Sequence, residues 1–225
     1  MTDKGVRFGD IHSFRDLDLI LSPFAIPPAE PKINLLDIPA GDGSLDLTEA
    51  LGEVKYNDRE FVMKFTVNPL SEMTFDEKVT QVANALNGKE FEIYFDRDPK
   101  WFWEGRCIVS EHAQNKVIQE ITIKAIVRPY KTKETWTQHS CMIQEGEAYC
   151  ITAVENNRKT VVPQISGGQA YIKFAFEDKE YTFENLVTNI YPEIQLKEGT
   201  NEFIFYRTRE NGQQLINITF REGAL

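Results

Sequence analysis

Apolar and polar residues alternate with a period of two along most of the chain. Phe61, Met63, Phe65 and Val67 fall on one face of residues 60–68, with Glu60, Lys64 and Thr66 among those on the other. That is the pattern of a half-buried strand. Phe91, Ile93 and Phe95 repeat it, and Asp96-Arg97-Asp98-Pro99 turns into a partner running from Trp101 to Ser110. Ala113-Gln114-Asn115 makes a second turn, leading through Val117 and Ile118 into Ile121–Val127. One segment breaks the rhythm. Phe75, Val79, Val82, Ala83 and Leu86 recur at helical spacing behind the capping box Thr74-Phe75-Asp76-Glu77, and Asn87-Gly88 supplies a stop. This predicts a helix over 74–87.

Residues 6–24 read as short strands, with Leu17, Leu19 and Leu21 alternating with Asp18 and Ile20. Ile26-Pro27-Pro28-Ala29-Glu30-Pro31 holds too many prolines for ladder or helix and must run extended. Residues 33–38 resume as a strand, and Gly41-Asp42-Gly43-Ser44 is a turn, with Gly43 expected at positive φ. A boundary is expected after Arg128-Pro129-Tyr130. Beyond the polar stretch 131–138, strands are predicted at Ala148–Val154, Tyr171–Glu177, Lys179–Phe183, Glu193–Leu196, Glu202–Tyr206 and Leu215–Phe220. Turns at 155–158, 166–168, 177–179, 197–200 and 210–212 separate them, the spacing of a small β-sandwich. The expected fold is mainly β with one α-helix, in two domains, 1–131 and 132–225.

Charge narrows the function. The 225 residues hold 25 Lys+Arg against 35 Asp+Glu, a formal net charge of −10. Residues 1–131 carry 16 and 22 of these and residues 132–225 carry 9 and 13, so both parts are acidic. Such a surface repels phosphate backbones, which disfavours sequence-specific nucleic-acid binding. Apolar runs are far shorter than a membrane helix needs, and the N-terminus lacks the apolar core of a secretory signal, so no membrane insertion is expected. Cys107, Cys141 and Cys150 fit no metal-binding spacing. Cys141 and Cys150 flank a turn and could face each other across a hairpin. Without a secretory context, all three are read as reduced, packed thiols.

A search for chemistry yields little. The carboxylate pairs Asp16/Asp18, Asp42/Asp46 and Asp96/Asp98 could each converge, but solvated strand faces and turn chemistry explain them. Ser13 adjoins His12, yet neighbours on an extended chain point to opposite faces. His139 near Cys141 lacks a third, orienting group. No nucleophile elbow, phosphate loop or dinucleotide fingerprint occurs. The expectation is no catalytic residue, no cofactor and no metal. Trp101-Phe102-Trp103 and Trp136 read as core or subunit contacts, or alternatively as a sugar-stacking platform.

Several segments resemble one family. Phe8-Gly9-Asp10-Ile11-His12-Ser13, Asp16-Leu17-Asp18-Leu19, Ile26-Pro27-Pro28-Ala29, Ile38–Thr48 and Tyr56-Asn57-Asp58-Arg59 are similar, in that order, to the distal tail proteins (Dit) of long-tailed bacteriophages. Val127-Arg128-Pro129-Tyr130-Lys131, Asn156-Asn157, Pro163, Leu196–Phe203 and Arg221–Leu225 extend the resemblance, which is dense over 8–65 and looser after 132. Ala40 departs from it, because the family often has a glycine there.

The resemblance implies a tail-tube-like β-domain with one helix over 1–131 that closes into a hexameric ring, and a galectin-like β-sandwich over 132–225. It implies a structural baseplate or tail-tip hub in the virion, made in the host bacterial cytoplasm. Its partners would be further copies of itself, the major tail tube protein, a tail-associated lysin or tail-tip protein and a receptor-binding protein, with an opening for DNA passage. A carbohydrate-binding, lectin-like module is the alternative.

Overall fold

The computed structural model describes the chain except residues 1–4, 51, 115–118, 168–170, 185–188 and 209–211. It divides into two compact units, Met1–Lys131 with Leu225, and Thr132–Ala224.

The first unit contains β1 (Val6–Phe8), β2 (Ile11–His12), α1 (Ser13–Leu17), β3 (Leu19–Leu21), β4 (Leu35–Asp37), β5 (Ser44–Asp46), β6 (Arg59–Val67), α2 (Phe75–Leu86), β7 (Glu90–Phe95), β8 (Trp101–Gln114) and β9 (Gln119–Val127). Seven of the strands pair antiparallel in the order β2-β1-β7-β8-β9-β6-β3. In β6 the predicted alternation holds: Phe61, Met63, Phe65 and Val67 are buried and meet Ile121, Ile123, Ala125 and Val127 of β9 in one core. Helix α2 lays Phe75, Val82 and Leu86 into that core. Its capping box is formed as predicted, with Thr74 Oγ1 accepting from the Glu77 amide and Glu77 accepting from Thr74 N.

The reading of residues 6–24 needs correction. Ser13–Leu17 is a helix of five residues, and Asp18 ends it at φ 54°. Val6–Phe8 is a strand as expected, but of residues 16–21 only Leu19–Leu21 is strand, so Asp16 and Asp18 share no strand face. Asn115, Val117 and Ile118, from the predicted turn and strand start, lie outside the described residues; Ala113 and Gln114 still belong to β8.

The second unit follows from β10 (Lys131–Lys133) with β11 (Thr137–Ile143), β12 (Tyr149–Asn156), β13 (Gln164–Gly167), β14 (Tyr171–Phe176), β15 (Lys179–Glu184), β16 (Asn189–Ile190), β17 (Gly199–Tyr206), β18 (Gln214–Phe220) and β19 (Gly223–Ala224). Two four-stranded sheets, β11-β18-β13-β16 and β12-β17-β14-β15, share one core that includes Ile143, Ile165, Phe174, Phe176, Phe203, Phe205, Ile216 and Phe220. Three expectations fail here. Thr137 already begins a strand. Ser166 and Gly167 are strand rather than turn, and Gly168 lies outside the described residues. Glu193–Leu196 contributes only an isolated bridge, Val161 to Leu196. Of the predicted turn 210–212, residues 210 and 211 also lie outside the described residues.

The thiol reading is overturned for two of the three cysteines. Cys141 of β11 and Cys150 of β12 form a disulfide with their Cα atoms 6.7 Å apart. The two strands belong to different sheets, so the bond crosses the sandwich instead of a hairpin. Cys107 is a free, buried thiol whose pKa is pushed up to about 12 by burial, which makes it unreactive.

Candidate functional site

The residues weighed for catalysis have structural partners. His12 Nδ1 accepts from the amides of Phe14 and Arg15, capping α1, while Nε2 lies 3.2 Å from Asp96 Oδ1. Both ring nitrogens are thus engaged, leaving no lone pair for general-base work. Ser13 Oγ accepts from Val6 N, and Asp16 accepts from His12 N. Asp18 instead pairs with the buried Lys78, at 3.0 Å. Asp96 and Asp98 are separated by their partners, since Asp98 binds Lys131 Nζ at 2.8 Å. Asp46 accepts from the side chain and then the amide of Thr48, which holds its carboxyl below the ordinary range. His139 stacks on Phe220, and Cys141 is in the disulfide. Among the described residues, no group of three His, Cys, Asp or Glu side chains is placed to hold a metal ion, and no helix is long and apolar enough to cross a membrane.

Nor do the tryptophans form a platform. Phe102 and Trp103 are buried, and Trp103 packs edge-on against Phe61 and Phe95. Lys131 lies over the half-buried Trp101 ring, 5.0 Å from its centroid, and Arg221 lies over exposed Trp136. A groove of about 310 Å³ on the sandwich is floored by Ala175 and Ile204 and rimmed by Glu177, Asp178, Thr200 and Glu202; its one ring, Phe176, is buried.

What stands out instead is an arm. Residues 22–32 form a strap across the first unit. Ser22 N donates to Lys64 O, and Phe24 packs against Phe61 and Phe95. Pro23, Pro27, Pro28 and Pro31 have no N–H to donate, which keeps the strap out of the sheet. A short ladder then closes the arm's base: Asn57 N to Glu30 O, Lys32 N to Lys55 O, and the bridge Pro31 to Tyr56.

Beyond this ladder, β4 and β5 pair as a hairpin in the register Leu35–Asp46, Leu36–Leu45 and Asp37–Ser44. All six strand residues are exposed. The apolar ones are not confined to one face. Leu36 and Leu45 sit opposite each other at 56% and 50% exposure, while neighbouring Leu35, pointing the other way, is also at 56%; Ile33 and Ile38 are exposed too. An isolated two-stranded hairpin is marginal in water, and this one has no core under it. Its tip turns through Ala40 at φ 62° and Gly43 at φ 77°, as expected for Gly43. Of the strand expected over 33–38 only Leu35–Asp37 forms, and the exposure of both its faces is not legible in the sequence, because period and residue type do not say whether a strand has a core beside it.

Arg59 anchors the strap from below. The residue is 6% exposed, and its Nη1 donates to Pro27 O at 3.2 Å. Burial draws its pKa down, yet an arginine stays charged. Tyr56 packs edge-on against Tyr130.

The comparisons with known proteins fit this architecture. Residues 10–127 match the family described as the phage tail protein RIFT-related domain. Among curated proteins, none matches by sequence. Among solved structures, the chain is similar to the Dit (gp 19.1) protein of SPP1, with a TM-score of 0.69 at 13% identity, over 98% of this chain and 99% of that one. That structure is described as a paradigm of the hub adsorption apparatus in phages infecting Gram-positive bacteria. The chain therefore belongs to the RIFT-related phage tail protein family and has the fold of a siphophage distal tail protein.

Proposed function

We propose that this tail protein is the structural hub of the tail tip, closing into a hexameric ring that joins the tail tube to the tip. The exposed hairpin carries the reading. Leucines and isoleucines standing on both faces of a two-stranded ribbon are stabilised only when something covers them, and the same surface on every copy makes a repeated head-to-tail contact that a ring can close. In this reading residues 1–131 form the ring, and residues 132–225 form a galectin-like sandwich. Tail tube protein, a tail lysin or tip protein and a receptor-binding protein attach to it, and DNA passes through an acidic opening. The likeness to the SPP1 hub protein supports that assignment at the level of fold. No catalytic residue, cofactor or metal is assigned, and the protein is made in the host cytoplasm before joining the virion.

Size-exclusion chromatography with light scattering on the full chain tests this. A species of six times the chain mass is expected, favoured as ionic strength rises and the net charge of −10 is screened. A monomer at every concentration and salt would overturn it, and a monomer that binds glycans would favour the lectin alternative.

A further inference from the structure

The guanidinium of Arg59 uses one of its edges and not the other. Nη1 donates to Pro27 O, but Nε and Nη2 are buried with no acceptor among the described residues. Those two atoms form the side-on edge of the fork, the edge that grips a carboxylate through two parallel hydrogen bonds. A buried cation with that edge unmatched is costly, and a charge-assisted partner would relieve it. The nearest carboxylates in sequence do not serve: Asp58 and Glu60 are exposed, and Glu60 pairs with Lys124 on the opposite face of the sheet. A second donor under the same strap repeats the observation. Trp103 Nε1 is also buried without an acceptor, and Trp103 packs on the two rings, Phe61 and Phe95, that Phe24 of the strap covers.

We infer that the Nε–Nη2 edge of Arg59 receives a carboxylate from the arm of a second copy of this chain. Charge complementarity selects the donor. Residues 33–54 carry Asp37, Asp42, Asp46, Glu49 and Glu53 and not one Lys or Arg. Asp46 already holds the Thr48 amide and Glu53 pairs with Lys55, whereas Asp37, with Oδ1 engaged by Ser44 Oγ, and Asp42 lie toward the tip and are the reaching pair. From the ladder at Lys32 to the tip at Pro39 is seven residues, about 23 Å at strand rise, enough to cross to a neighbour. The strap can admit the carboxylate because its backbone–backbone hydrogen bonds gather at its ends and its four prolines tie no amide to the sheet, while its middle is held by the side chains of Arg97, on Phe24 O, and Arg59 itself, on Pro27 O. Seating the acid would then exchange an unmatched buried charge for a paired one. Assembly and arm placement become one event.

This inference rests on the self-assembly reading, and the test separates the two. In the full chain, Arg59→Met keeps the volume and removes the charge, Arg59→Lys keeps the charge and loses the fork, and Asp37→Asn and Asp42→Asn remove the donors. Sedimentation velocity across a concentration series reads assembly, and thermal melting reads the monomer. Expected is an association weakened about tenfold or more by Arg59→Met, less by Arg59→Lys, with the monomer melting no lower than wild type. Combining Arg59→Met with the sensitive aspartate variant should weaken association no further than Arg59→Met alone. Wild-type assembly that survives Arg59→Met, a fully additive double variant, or a melting loss with assembly intact would overturn the carboxylate seat and leave the ring standing. A wild-type chain that never self-associates would overturn both.

Discussion

Two hairpins of this protein have opposite fates. In β14–β15, Ile172, Phe174 and Phe176 point into the sandwich core at 2% exposure or less, and Phe174 alone packs against Tyr181, Phe183, Phe203 and Phe205. In β4–β5, Leu35, Leu36 and Leu45 are half exposed and meet no core. Both ribbons have sound registers and turns at positive φ. Local chemistry is therefore enough to shape a hairpin, but only a covered face stabilises it. The first hairpin finds its cover inside the chain; the second, on the reading above, finds it in a neighbour.

The comparison breaks most easily in the cores. Phe174→Ala should cost about 3–5 kcal/mol in unfolding free energy, whereas Leu36→Ala should leave the monomer within about 0.5 kcal/mol of wild type while weakening assembly. Denaturant unfolding of dilute monomer checks both, and a large loss from Leu36→Ala would show that the arm has an intrachain core after all.

A second test uses acid. Burial alone would raise the Glu222 pKa, but hydrogen bonds from Lys133, Thr137 and Asn157 and the Lys133 charge outweigh it and hold the carboxyl below 4.5. A depressed carboxyl contributes stability that is present above its unfolded pKa and lost as pH falls through the folded one. The second unit should therefore weaken below about pH 4.5. Glu222→Gln should lower stability at pH 7 by about 1–3 kcal/mol and flatten that acid limb in melts across pH. The arm should show the same sign more weakly, because the Asp46 carboxyl that Thr48 holds down is fully exposed to solvent.

Smaller effects sharpen the picture at the tip. Gly43→Val places a β-branched residue at φ 77°, costing about 1–3 kcal/mol locally. Because the hairpin lies off the core, the change should appear as faster amide exchange at Leu47, which donates to Asn34 O, with little change in melting temperature. Ala40→Gly should do the reverse by about 1 kcal/mol, slowing exchange at the same amide, since Ala40 sits at φ 62°.

Legibility followed the strength of local signals. Helix α2 was written in the chain because its cap and stripe agree. Helix α1 was not, since five residues are too few for a stripe and the cap is a histidine nitrogen rather than a hydroxyl or carboxylate. Gly167 disguised β13 as a turn; it is glycine because a Cβ there would lie 3.0 Å from Leu215 O on the next strand. The Cys141–Cys150 bond is not legible in the sequence, because it depends on β11 and β12 belonging to different sheets, a long-range arrangement that no local pattern carries. The arm was half legible. Its prolines and its Asp-Gly turn announce an extended excursion, but the buried edge of Arg59 depends on the strap folding back over β6, a long-range contact that no local pattern carries.

On the ring reading proposed above, the ladder at the base of the arm also sets how abruptly copies join. A loop of 22 residues without it would wander through a wide volume, diluting its leucines to a low local concentration around any one neighbour. Pinned at Pro31–Tyr56 and Lys32–Lys55, the arm sweeps only a narrow cone. Once one arm has docked, the next contact in a closing chain is met at a high effective concentration and loses little further translational freedom. Open intermediates should then be scarce beside free copies and closed ones, so that on dilution the assembly disappears over a narrow concentration range.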